Sequence, residues 1–184
     1  MRDGVRYVNK AIFIACGVRE DGYREILGAT IAECEDEGFW SGFFEDLKER
    51  GLKGVKLVIS DGHSGIRKAV ETSFLGTSWQ MCHVHFIRAV MKKISKKDRK
   101  EIAHKLKECL DDEMKMQDLA CELDERGYGK AAATIERFMP DLMNYKAFSR
   151  SHWRRIKTTN MVERINKELK RRSRVVGRFR MMRR

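Results

Sequence analysis

Two isolated acids and one Cys-x-x-His pair are the residues of this 184-residue chain whose type and setting could do chemistry. Asp61 follows Val55-Lys56-Leu57-Val58-Ile59-Ser60, an apolar run that reads as a strand ending on a carboxylate and a turn at Gly62. Acids at the carboxyl ends of strands stand where α/β proteins place ligands, although Asp61 taken alone is better read as capping the helix that follows it. Glu163 comes three residues after Asn160, so the two could form a capping box at the start of a helix. Cys82 and His85 have a spacing that would offer two zinc ligands. A closed zinc site takes four and no second close pair exists, so a buried thiol beside a hydrogen-bonded histidine, shaping the neighbouring site, is preferred.

These residues need elements to position them. Val5 to Val18 reads as a strand around Ala11-Ile12-Phe13-Ile14-Ala15-Cys16, Asp21-Gly22 as a hairpin turn, and Tyr23 to Ile31 as the return strand. Phe39 to Arg50 carries Phe39, Trp40, Phe43, Phe44 and Leu47 at helical spacing, and Gly51 follows as a C-cap. The strand before Asp61, a helix from His63 to Thr72, a strand over Trp79 to Cys82 and a helix from His83 to Ile94 come next. Between Ser95 and Phe148 the chain turns charged and helical, with apolar stripes at Ile102, Leu106, Cys109 and Leu110, at Leu119, Ala120 and Leu123, and at Ile135, Phe138 and Leu142. Pro140 should end or kink the last of these helices. A final helix is expected from an Asn160 N-cap to Arg174, carrying Glu163, Arg164, Lys167, Lys170, Arg171 and Arg174 on one face.

The predicted fold class is α/β, a mixed sheet with helices on its faces, and the order divides the chain into a core over 1–94, a helical insertion over 95–148, a core helix over 149–179 and an irregular end over 180–184. The chain is long enough for one compact domain, and no apolar run is long enough to span a membrane. Five cysteines at scattered spacing argue for reduced thiols and a cytoplasmic location. The formal charge is +12, and Ser151 to Arg184 holds 13 Lys or Arg against Glu163 and Glu168, which is +11 of that total. So basic a segment is most often neutralised by nucleic-acid phosphate, the alternative being a solvated tail.

Three strings together resemble Mutator-type transposases of bacterial and archaeal insertion sequences: Val-Ile-Ser-Asp-Gly-His-Ser-Gly over 58–65, Trp-Gln-Met-Cys-His-Val-His-Phe over 79–86, and Lys-Thr-Thr-Asn-Met-Val-Glu-Arg-Ile-Asn-Lys-Glu-Leu-Lys-Arg-Arg-Ser-Arg-Val-Val-Gly over 157–177. Gly22 to Gly28 fits the same family. The resemblance implies an RNase H-like fold whose DDE acids hold two Mg²⁺ (or Mn²⁺) ions, with Asp61 as the second acid and Glu163 as the third. It implies DNA strand cleavage and strand transfer in transposition, double-stranded transposon ends and target DNA as partners, a homo-oligomer, no small-molecule substrate, and a place at the nucleoid. Cys82, His85, Trp153 and Asn160 would shape the site. Arg164, Lys167, Lys170, Arg171, Arg172 and Arg174 would contact DNA phosphates.

The family's first aspartate is expected on a strand upstream of Met1, and its end-recognition region upstream of that. Asp3, beside Gly4 in an expected hairpin, is not a replacement. The chain therefore reads as truncated at both ends, lacking the first strand of the sheet and inactive alone, with an open sheet edge. The alternative is a non-catalytic DNA-binding remnant that modulates an intact transposase; a nuclease of another RNase H-like family is third.

Overall fold

The computed structural model describes residues 2–3, 6–7, 10–33 and 35–176, with side chains at 10–33 and 35–172. The expected irregular end at 180–184 lies outside them, as does the side chain of Arg174.

Two short strands, β1 (Arg2–Asp3) and β2 (Arg6–Tyr7), pair antiparallel and set Asp3 opposite Arg6. Next comes a hairpin of β3 (Ala11–Val18) and β4 (Arg24–Ala32), with a register irregularity between Ala15 and Cys16. Its turn needs Gly22, whose φ of +83° is open to glycine and strained for other residues. α1 (Glu37–Glu49) starts two residues before the apolar stripe because Asp36 caps it, accepting from the Phe39 N–H at 2.8 Å. The helix buries Trp40, Phe43, Phe44 and Leu47, and Phe13 of β3 meets the Phe39 and Trp40 rings at 4.4 and 5.3 Å. Gly28 lets it approach β4: a Cβ there would stand 2.9 Å from Leu47 Cδ2.

β5 (Leu57–Ser60) and β6 (Ser78–Met81) pair parallel, connected through α2 (Ser64–Ser73), which packs on α1. The single mixed sheet expected from sequence does not form among the described residues. The strands make separate two-stranded sheets instead. β3 bonds β4 and β5 bonds β6, and no described strand bonds the remaining edges. Helix packing holds the pairs.

α3 (His83–Met91), α4 (Arg99–Cys109), α5 (Glu113–Glu125) and α6 (Gly129–Phe138) follow. Their stripes converge: Phe86, Val90, Ile102, Leu106, Leu119, Leu123, Ile135 and Leu142 are buried in one cluster with the aromatic residues of α1. The helices of 95–148 thus share the core of the strand pairs. Pro140 lies in a 3₁₀ turn (Met139–Asp141) directly after α6, and a second such turn spans Asn144–Ala147.

α7 (Arg150–Ile156) and α8 (Asn160–Val176) end the described chain. Polar bonds dock their approach onto β6. The fully buried Gln80 accepts from the Tyr145 N–H at 3.0 Å and donates to the Leu142 carbonyl at 2.6 Å. That carbonyl also meets His83 Nε2 at 2.8 Å, and the His83 N–H donates to the Lys157 carbonyl at 3.1 Å. Asn144 Nδ2 donates to the Trp79 carbonyl at 2.6 Å. Residues 80–83 therefore hold the chain just ahead of α8 and fix where that helix begins.

Candidate functional site

Asp61 projects from the end of β5, exposed, and its Oδ1 accepts from the His63 N–H at 3.2 Å. The cap of α2 is His63, whose Nδ1 accepts from the Gly65 N–H at 3.3 Å. Asp61 shapes the turn and leaves its second oxygen uncommitted among the described residues.

α8 starts at Asn160 itself, which moves the capping position to Thr159 and corrects the expected Asn160 cap. The Glu163 N–H donates to the Thr159 carbonyl at 3.0 Å. The Glu163 carboxylate does not fold back into a capping box. Its Oε1 accepts from Arg88 Nη1 at 2.9 Å and lies 3.8 Å from His85 Nε2. Arg88 and His85 are three residues apart on α3 and so share a face. Arg88 was missed in the sequence, although its helical spacing from His85 was the available signal.

Cys82, directly before α3, is buried and joins the other end of this arrangement. Its Sγ lies 3.3 Å from Thr159 Oγ1 and accepts from the Thr159 N–H at 3.4 Å, while Thr159 Oγ1 is 3.5 Å from His85 Nδ1. Burial pushes the Cys82 thiol up, but hydrogen bonds from His85 and Thr159 outweigh it and bring the group down to about 7. His85 is raised, first by its bond to Cys82 against the opposing effect of burial, then by the charges of Cys82, Asp61 and Glu163. His83, on the far side of α3, is instead lowered by burial and serves the core.

Two carboxylates suit a hard divalent cation such as Mg²⁺. No group of three His, Cys, Asp or Glu side chains stands close enough to hold a metal among the described residues. Asp61 and Glu163 offer the right donor chemistry and an incomplete set, with the Arg88 guanidinium already beside Glu163.

The expected basic face divides in two. Arg164 and Lys167 make no ion pair among the described residues and flank Glu163 around a shallow hollow of about 220 Å³. Arg171 and Arg172 both bind Glu168, at 2.7 Å each, and hold its carboxyl down to about 2. Lys170 lies on the same helix. Trp153 packs: its Nε1 donates to the Phe148 carbonyl at 2.8 Å and its ring meets Tyr145 edge-on at 5.3 Å.

A larger cleft, about 880 Å³, opens between the β3–β4 turn and the start of α7 and α8, and is lined by Tyr23, Arg24, Arg154, Arg155 and Arg164. From sequence Arg164 was expected to contact DNA and Arg154 and Arg155 counted only in the basic end, because nothing local brings Tyr23 and Arg24 to them.

A family model described as "Transposase, Mutator family" matches residues 1–181. The transposase for insertion sequence element IS256 in transposon Tn4001 of Staphylococcus aureus is 39% identical over 97% of this chain and 47% of its own length. The transposases for ISRM5 of Rhizobium meliloti and IS1081 of Mycobacterium tuberculosis are each 34% identical over 97% of this chain, and over 46% and 44% of theirs. The chain spans about half the length of the curated relatives it matches.

Proposed function

The chain belongs to the Mutator family of transposases, and on that premise we propose that it carries acid-bearing and DNA-holding parts of a DDE-type strand-cleaving and strand-joining centre. The observation that carries this proposal is the Glu163 carboxylate at 3.8 Å from His85 Nε2, an imidazole that the charge of Asp61, distant in sequence, also raises. Asp61 is delivered by the end of β5, and Glu163 by the first turn of α8, whose start is held by Cys82, His85 and Thr159. Such fixation matters because small displacements of reacting groups cost large factors in rate.

Asp61 and Glu163 are the residues that would hold Mg²⁺ or Mn²⁺. A divalent ion there would stabilise the attacking and leaving oxygens of a phosphodiester displacement. The chain's own residues do the remainder. Arg164 and Lys167, flanking Glu163, bind the phosphates on either side of the scissile bond. Arg171 and Arg172 extend that contact along α8. An RNase H-like arrangement of the strand pairs belongs to the same proposal, as do a third acid beyond this pair, a working form of two or more subunits that brings DNA ends together, and association with the nucleoid.

Nicking of a labelled insertion-sequence end in Mg²⁺ or Mn²⁺ tests this. The 184-residue chain, an upstream-extended version, and Asp61→Ala and Glu163→Ala in each would be compared. Loss of cleavage by roughly a hundredfold or more in both substitutions is expected wherever cleavage occurs. Cleavage indifferent to both would remove these acids from the mechanism. The Arg88–Glu163 pair favours a second function, DNA binding without cutting, which the same assay separates: both versions would bind the duplex and neither would nick it.

A further inference from the structure

The cleft between the hairpin turn and α7 has no part in the acid pair, and we propose that it binds unpaired DNA, with arginines on the phosphodiester backbone and Tyr23 stacking on a base. The inference rests on the DNA-handling function proposed above and adds a strand type and a site to it.

Four arginines, Arg24, Arg154, Arg155 and Arg164, face one acid, Asp21. That acid is already engaged, accepting from the Tyr23 N–H at 2.9 Å and pairing with Arg19 at 3.4 Å. Arg24, Arg154 and Arg164 have no carboxylate partner among the described residues, and Arg155 spends one N–H on the Ser151 carbonyl at 3.1 Å. Cations gathered without counter-charges attract a polyanion. The walls lie close together: a Cβ added to Gly22 would already stand 3.7 Å from Arg155 Nη1 and 3.8 Å from His152 Cε1. The hairpin turn and α7 therefore form one surface.

Tyr23 selects the strand type. The residue is 73% exposed in a cleft whose other lining is mostly polar, four arginines with Asp21, Ser151, Thr158 and Asn160 beside Met161, an expensive place for an uncovered aromatic ring. Bases in a duplex are stacked on each other and present no face to such a ring. A single strand can turn a base out onto it while its phosphates follow the arginines. Arg164 closes the cleft beside Glu163, so a strand lying in it would arrive next to the acid pair.

Fluorescence anisotropy on the 184-residue chain tests the proposal with two probes, a labelled oligothymidylate and a labelled duplex. Tyr23→Ala should weaken oligothymidylate binding about tenfold and change duplex binding by less than about twofold, because stacking is lost and phosphate contact is kept. Tyr23→Trp should restore the affinity. Arg24→Ala with Arg154→Ala should weaken oligothymidylate binding and reduce its salt dependence. Lys167→Glu with Arg172→Glu is the comparator on α8. Loss of duplex binding in the comparator, with oligothymidylate indifferent to Tyr23→Ala, would overturn the cleft and leave the α8 interface standing. Sensitivity of oligothymidylate to Tyr23→Ala, with duplex indifferent to the comparator, would do the reverse. Equal weakening of both probes by Tyr23→Ala, or no binding of either by the unsubstituted chain, also overturns the proposal.

Discussion

Replacing Gln80 by leucine should destabilise the protein by about 2–3 kcal/mol, although leucine is similar in size and better suited to an apolar core. The side chain is fully buried and makes bonds to main-chain groups that no substitution elsewhere removes. With leucine the Tyr145 N–H is left without its acceptor, a penalty of about 1–3 kcal/mol for a buried donor. The Leu142 carbonyl loses one partner and keeps His83 Nε2 at 2.8 Å, so its loss is nearer an ordinary bond, about 0.5–1.5 kcal/mol. The apolar gain of leucine offsets part of the sum. Gln80→Glu should behave differently: its carboxylate would face the Leu142 carbonyl at 2.6 Å, so it destabilises at neutral pH and recovers as pH falls and the acid becomes a donor. Urea unfolding across a pH series reads both effects, and amide exchange at Tyr145 reports the local opening. A Gln80→Leu unfolding free energy within about 0.5 kcal/mol of the unsubstituted chain's would show that these bonds do not hold the 142–157 segment to β6.

Phe86→Ala, at a fully buried ring, should cost about 3–5 kcal/mol in the same unfolding experiment, and a cost under 1 kcal/mol would mean α3 is not packed as described. Arg88→Ala should change stability by no more than about 1 kcal/mol, since Arg88 is largely exposed, but should raise Mn²⁺ binding measured by electron paramagnetic resonance; unchanged binding would separate Glu163 from the metal. Cys82 lies at about 7 when folded against an ordinary 9.0, so its thiolate stabilises the fold increasingly as pH rises from about 7 to 9, and the effect is lost as pH falls through 7. Cys82→Ser should flatten that rise. His85 works in the opposite sense, its share lost as pH climbs past its raised folded value, and since the first cause of that rise is Cys82, the pair is strongest where both are charged, near pH 7, and His85→Ala should cost most there. The two are one interaction seen from either partner and do not add; identical pH slopes before and after substitution would refute it.

Local signals carried much of the fold. Asp21-Gly22 marked the hairpin, Gly51, with φ of +101°, ended α1, and the stripes at Leu106, Leu123 and Ile135 are the core faces of α4, α5 and α6. Each depends on residues within a turn or two of one another. The cap of α1 was missed because Asp36 precedes the apolar periodicity that drew the eye to Phe39. Sheet continuity could not be read, because which strand edges meet is set by chain segments far apart. The same holds for the site. Asp61, Glu163, Cys82 and His85 stood out by type and spacing, whereas Arg88 and Thr159 matter only once α3 and α8 are placed side by side. Nothing in the sequence set Gln80 apart within its strand, and its importance comes from Tyr145, 65 residues later.

That separation also sets a timetable for synthesis. Gln80 must wait 62 residues for Leu142, which at elongation rates of about 5–20 residues per second is roughly 3–12 s. Throughout that interval the Gln80 amide of the nascent β6 lacks its two distant backbone partners and must keep water, beside a strand edge ready to pair with a neighbour. Helices α4, α5 and α6 emerge in the meantime and can cover the apolar face, but they cannot satisfy the amide. Translation paused before Leu142 should therefore leave a chain that is helical yet sticky, and slowing the ribosome there should lower soluble yield far more than slowing it after Lys157.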